Sequence, residues 1–187
     1  MKRFAWPIAA AVAAVLLAAL AVHGERPQSG IMRAVPPGVL AGWDLLQITE
    51  VSVATSGGAR TFRRGEAGQW RVAGDGSLAA PGLAERIEIG LKLLRTSPPQ
   101  RILDASEVAG QPLAEFGLAS PRLTVSLRTT GGAGITIAFG STNPLGLARY
   151  ARVDGRPELL LLASYVAEAW ERVAEPPSPG FCFRSWA

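Results

Sequence analysis

The stretch that decides the fold is Leu113–Tyr150, LAEFGLASPRLTVSLRTTGGAGITIAFGSTNPLGLARY. At its start Pro112 to Phe116 can form one helical turn, and Gly117 is suited to the left-handed cap that ends such a turn. Leu118 then tucks in and Pro121 fixes the start of a strand. Val125 and Leu127 alternate with Thr124, Ser126 and Arg128; after Gly131-Gly132, Ile135, Ile137 and Phe139 alternate with Thr136 and Ala138. Apolar residues at every second position mark half-buried strands of an antiparallel sheet. Gly140 is expected to stop the second strand, and Asn143-Pro144 with Gly146 to turn the chain. The stretch is ordered as a core and contains no catalytic group.

Working outward, Arg149–Val153 reads as a strand, Asp154-Gly155 as a turn and Glu158–Leu162 as the next strand. Ser164 is placed to cap a last helix with Val166, Trp170 and Val173 on one face. Upstream, Ile48, Val51 and Val53 form a strand that ends at Ser56-Gly57-Gly58, with Arg60–Arg64 and Trp70–Val72 continuing the meander. Trp70 is expected in the core. Pro81 starts an amphipathic helix with Leu83, Ile87, Leu91 and Leu94 at helical spacing, ended before Ser97-Pro98-Pro99. Glu88 and Lys92 stand four apart as a solvated ion pair, as do Glu168 and Arg172. The predicted fold is α+β: antiparallel β meanders each followed by an amphipathic helix, as two packed sheet-plus-helix units.

The chain has 187 residues and a formal charge of +4. From Ile31 to Glu175 it carries 15 basic and 14 acidic side chains, so the excess lies in the ends and no basic stripe for nucleic acid exists. Its 1 Cys, Cys182, forbids an internal disulfide, and its 1 His, His23, lies outside the domain. A His-based triad and a His/Cys zinc site are thereby excluded within it. No P-loop, dinucleotide fingerprint or Gly-x-Ser-x-Gly elbow appears. No metal and no cofactor are expected.

Lys2 and Arg3 precede an uncharged, largely aliphatic run from Phe4 to Val22. As a helix this run rises roughly 28 Å, close to the thickness of a bilayer core. The basic flank stays cytoplasmic. Ala19-Leu20-Ala21 also resembles a signal-peptidase site, which leaves a cleaved, secreted form as the alternative. The expected organisation is a membrane anchor or signal at 1–23, a Pro/Gly-rich linker at 24–42, the domain at 43–175 and a Pro/aromatic tail at 176–187.

The order Glu115-Phe116-Gly117-Leu118, Pro121, an alternating strand, Phe139-Gly140, Asn143-Pro144 and Tyr150 with a closing hairpin resembles domain-of-unknown-function family 4340. Gly68-Gln69-Trp70 and the helix from Leu83 to Leu94 fit the same pattern, so the resemblance spans Trp43 to Glu175. It implies a bacterial, exported, often membrane-anchored domain, some of whose relatives resemble accessory proteins encoded near ABC-transport or gliding-motility components. It supplies no catalytic residue to carry over. Longer members repeat the unit; this chain has it in a single copy.

The function expected from these features is a noncatalytic accessory or scaffolding protein of a cell-envelope complex, on the inner membrane with its domain in the periplasm. Its partners would be the membrane, through residues 4–22, and a protein subunit. A periplasmic small-ligand or glycan-binding domain is the alternative, and a hydrolase stands third. The candidate binding residues are Asn143, Arg149 and Tyr150 around one loop, where an amide, a charge and a stacking ring come together, and the tail aromatics Phe181, Phe183 and Trp186.

Overall fold

The computed structural model describes residues 36–175. A short 3-10 turn at Leu45–Gln47 leads into β1 (Ile48–Thr55), β2 (Gly58–Arg64) and β3 (Trp70–Val72), followed by α1 (Pro81–Thr96). Then come β4 (Arg101–Leu103) and α2 (Ala105–Val108). The second meander is β5 (Leu123–Thr129), β6 (Gly134–Thr142), β7 (Ala148–Val153) and β8 (Leu159–Ala163), closed by α3 (Ser164–Ala174). The α+β class, the antiparallel strands and the two amphipathic helices are as the sequence predicts. The predicted span at 4–22 lies outside the described residues, and among the described residues no helix is long and apolar enough to cross a membrane.

The two meanders do not form separate units. All eight strands lie in one sheet of order β3-β2-β1-β5-β6-β7-β8-β4. The seam is β1 against β5, antiparallel, with Val51 opposite Leu127 and Val53 opposite Val125. Both strands present their apolar set to the same face, so joining them edge to edge closes two open edges and makes one core.

Alternation along the strands sorts the two faces. Val51, Val53, Leu123, Val125, Ile137 and Phe139 pack in one cluster with Ile87, Leu91 and Leu94 of α1 and Val166, Trp170 and Val173 of α3. The helices run antiparallel to each other over this face. At one end Arg86 donates to the carbonyl of Arg172; at the other Tyr165 donates to Ser97 Oγ at 3.1 Å. The opposite face carries hydroxyls over β1, β2, β5 and β6: Thr61 bonds Ser52 at 3.0 Å, and Ser126 and Thr136 share a bond of 3.1 Å. Toward β8 that face is covered by a smaller cluster, in which Phe116, Leu118 and Leu159 pack with Leu113, Val108 and Tyr150. The predicted turn at Pro112–Phe116, with Gly117 as its cap, is the lid of this second core.

Four local expectations change. Gly140 does not end β6, which continues to Thr142 through a register shift after Phe139. The reason is close approach: a Cβ on Gly140 would stand 2.1 Å from the Phe116 carbonyl oxygen, so only glycine lets the lid lie down. Val39 and Leu40, assigned to the linker, are buried in the main core, where Leu40 N–H donates to Leu94 O at 3.1 Å. Ser164 does not cap α3; Ala163 occupies the cap position, and the Ser164 hydroxyl donates to Gly146 O at 3.3 Å. Glu88 turns away from Lys92: its Oε1 accepts from Trp70 Nε1 at 2.8 Å and from Arg64 at 2.7 Å, with the Arg64 guanidinium 4.5 Å above the Trp70 ring. Trp70 is in the core, and Glu88 satisfies its one polar atom.

Candidate functional site

The loop between β6 and β7 was singled out from sequence, and the structure gives its three candidate residues separate duties. Asn143 folds the loop. Its Oδ1 accepts from Leu147 N at 3.0 Å and Ala148 N at 3.1 Å, while its own N–H donates to Ala148 O at 2.7 Å. Arg149 lies on the helix side of β7, where both terminal nitrogens bond the Glu171 carboxylate of α3. Glu171, not Glu168, is therefore the acid of α3 that makes an ion pair, and it reaches across to the sheet. Tyr150 points to the other face, edge-on to Phe116 at 5.0 Å between centroids. Adjacent residues on a strand face opposite ways, so Arg149 and Tyr150 do not converge on one surface. Phe181, Phe183, Trp186 and Cys182 lie outside the described residues.

The same loop displays two residues that the sequence reading passed over. Leu145 is 78% exposed and Leu147 66% exposed; Tyr165, on the first turn of α3, is 52% exposed. The turn is tied at several points. Gly146 N donates to Asn143 O at 2.9 Å, with Gly146 at φ 75°, and Ser164 N donates to Leu147 O at 3.0 Å. These leucines are presented by a built turn. A signal for them existed in Pro144-Leu145-Gly146-Leu147, where two leucines sit among turn-forming residues in a short loop.

A second apolar feature is concave. A groove of ≈ 520 Å³ runs along the outer side of α1, floored by Leu45 and Ile89 and edged by Glu85, Lys92, Arg95 and Thr96. Ile89 is 45% exposed. It sits off the Leu83-Ile87-Leu91-Leu94 stripe, which is the signal that could have found it. A mixed-charge rim around an apolar floor is the anatomy of a protein–protein contact.

Two carboxylates of the domain are held by local partners. Asp75 is kept below the usual carboxylate range, first by the Ser77 hydroxyl and then by the Ser77 N–H. Glu107 is lowered by the N–H of Asp104 and next by the Arg101 side chain. Both carboxylates are exposed and stabilised in the charged form, the reverse of what a general acid requires. Among the described residues no group of three His, Cys, Asp or Glu side chains converges.

No curated protein and no solved structure matches this chain. The family model described as a domain of unknown function (DUF4340) matches residues 70–175, from the buried Trp70 through α1, the lid and the second meander to the end of α3. That match covers more than half of the sequence, and the chain belongs to the DUF4340 family.

Proposed function

We propose that this chain is a noncatalytic, membrane-anchored accessory or scaffolding protein of a bacterial cell-envelope complex, its domain held in the periplasm by the apolar run from Phe4 to Val22. The observation that carries the reading is the groove on α1. It is apolar at its floor, rimmed by acids and bases together, and built on a rigid helix whose other face is locked into the core. Such a groove suits an amphipathic segment of a partner subunit, whose apolar residues would cover Ile89 and Leu45 and whose charges would meet Glu85, Lys92 and Arg95.

The test is site-specific photo-crosslinking in cells, with the reactive group at Ile89 and a control at Ser56 in the β1–β2 turn. The expected product joins position 89 to an identified envelope subunit, and Ile89→Lys weakens copurification of that subunit by about tenfold, the loss typical of one central interface contact. Equal crosslinking at both positions, with a lone monomer recovered in mild detergent, would overturn the reading. Release of the intact protein from membranes by salt alone would overturn the anchor.

A further inference from the structure

The charges on the exposed stripe of α1 are ordered. They run Glu85, Glu88, Lys92, Arg95, with the acids in one half, the bases in the other and Ile89 between them. Gly90 is the midpoint of both outer and inner pairs: Glu85 and Arg95 each stand five residues from it, Glu88 and Lys92 two. At a rise of about 1.5 Å per residue the outer pair is about 15 Å apart along the helix and the inner pair about 6 Å.

The helix macrodipole does not account for this order. It acts within the terminal turns, where Arg95 alone stands, and the first turn holds no acid. Nor is the charge spent inside the domain. Glu85, Lys92 and Arg95 join no ion pair among the described residues. Glu88 gives its Oε1 to Arg64 and Trp70, and its side chain stays 46% exposed.

A helix whose charges reverse sign about its midpoint is complementary to its own antiparallel copy. With two α1 helices side by side about a twofold axis level with Gly90, Glu85 of each copy meets Arg95 of the other, and Glu88 meets Lys92. Each pair occurs twice, as an isologous contact requires. The two Ile89 side chains lie next to the axis and, with Leu45, cover each other's apolar floor. A parallel pairing would set like charges face to face, so the pattern selects the antiparallel one. A contact one helix long falls below the standard interface area, so the dimer is weak and reversible.

We infer that the α1 groove docks a second copy of this chain, α1 against α1, antiparallel about a twofold axis level with Gly90. The inference rests on the reading of this groove as a protein contact and names the partner it takes.

The experiment uses the full chain in cells that express two differently tagged copies, with the photo-reactive group at position 89 or, as control, at 56. The expected product has twice the mass of the chain, carries both tags and forms several-fold more from 89 than from 56. Glu85→Lys in both copies sets two basic pairs in opposition and lowers its yield several-fold; Arg95→Glu in both copies does the same with two acidic pairs. Glu85→Lys in one copy and Arg95→Glu in the other restores opposite charge at both places, and the mixed-tag yield returns to the parent level. Reversals that lower the yield without rescue in the mixed pair overturn the inference, provided that circular dichroism shows both variants folded. The mass of the parent product decides the case even where a variant folds poorly. A product joining position 89 to a different polypeptide overturns the second copy and leaves the groove as a protein contact. No product above the position-56 control overturns both.

Discussion

Gly90 of α1 and Trp170 of α3 interlock: a Cβ added at Gly90 would lie 2.8 Å from Cε2 of the fully buried Trp170 ring. The helices cross where one has no side chain and the other has its largest. Gly90→Ala tests whether packing or backbone propensity decides. Ala improves a helix interior by about 1 kcal/mol, while overfilling a packed core costs roughly 1–3 kcal/mol. The expected net effect is a loss of up to about 2 kcal/mol in urea unfolding. In a Trp170→Leu background the same change should be neutral or stabilising. A stabilised Gly90→Ala single variant would show that the helices have room to separate.

Arg149 and Glu171 join the sheet to α3 through side chains that are 18% and 38% exposed, and the Nε of Arg149 is buried with no hydrogen-bond partner. Removing the acid strands a partly desolvated guanidinium. A fully buried pair broken this way loses about 3–5 kcal/mol, and water at Glu171 screens the pair, so Glu171→Ala should cost about 1–2 kcal/mol. Glu168→Ala, on the solvent side of the same helix, should change stability by less than about 0.5 kcal/mol. Equal effects at 168 and 171 in chemical denaturation would refute the assignment.

What could be read from sequence was set by range. Ile135, Ile137 and Phe139 alternate within one strand, and Ile87, Leu91 and Leu94 recur within one helix, so each element announces its own buried face. The β1–β5 seam joins residues about 70 to 80 positions apart, and no period records it; two packed units and one fused sheet predict the same pattern. Glu88 is the same case in miniature. Its near neighbour Lys92 is visible in the sequence, but Arg64 and Trp70 reach it only after the first hairpin has packed on α1. The Ser141–Tyr150 segment reads from sequence as one loop, but only residues 143–147 lie between β6 and β7, Arg149 and Tyr150 stand on β7, and folding uses the polar residues. Asn143 satisfies backbone N–H groups that would otherwise be unpaired. The residues left over are Leu145 and Leu147, exposed side chains with no polar group to mark them in the sequence.

Gly140 and Gly57 offer a contrast in the same residue type. At Gly140 an added Cβ meets backbone, 2.1 Å from Phe116 O, in the seam between β6 and the lid of the outer core; at Gly57 the nearest atom is a side-chain oxygen 3.7 Å away. Backbone cannot rotate aside, so Gly140→Ala must lift the lid from the sheet and break the bond from Ser141 N to Phe116 O. The expected loss is about 3 kcal/mol or more, with hydrogen-exchange protection lost first around residues 113–118. Gly57→Ala should lie within about 0.5 kcal/mol of the parent. Parity between the two would mean that the lid does not rest on β6 in solution.

Glu107 makes the small α2 and its neighbouring strand sensitive to acid. Its carboxylate accepts the Asp104 N–H at 3.0 Å and bonds the Arg101 guanidinium, which together hold its folded pKa below the ordinary value. A depressed carboxylate contributes stability that is fully present above its unfolded pKa, near 4.3, and is lost as pH falls through the lower folded value. Glu107→Gln keeps an acceptor for Asp104 but removes the charge. At neutral pH the variant should therefore unfold at lower urea concentration than the parent, and the gap should narrow below about pH 4 and vanish once the parent carboxylate is protonated. Because Leu103 and Val108 flank this pair in the outer cluster, the same acid range should release protection at β4 and α2 before the main sheet opens. A gap that stays constant or widens through the acid range would show that the Glu107 charge is not what holds this edge.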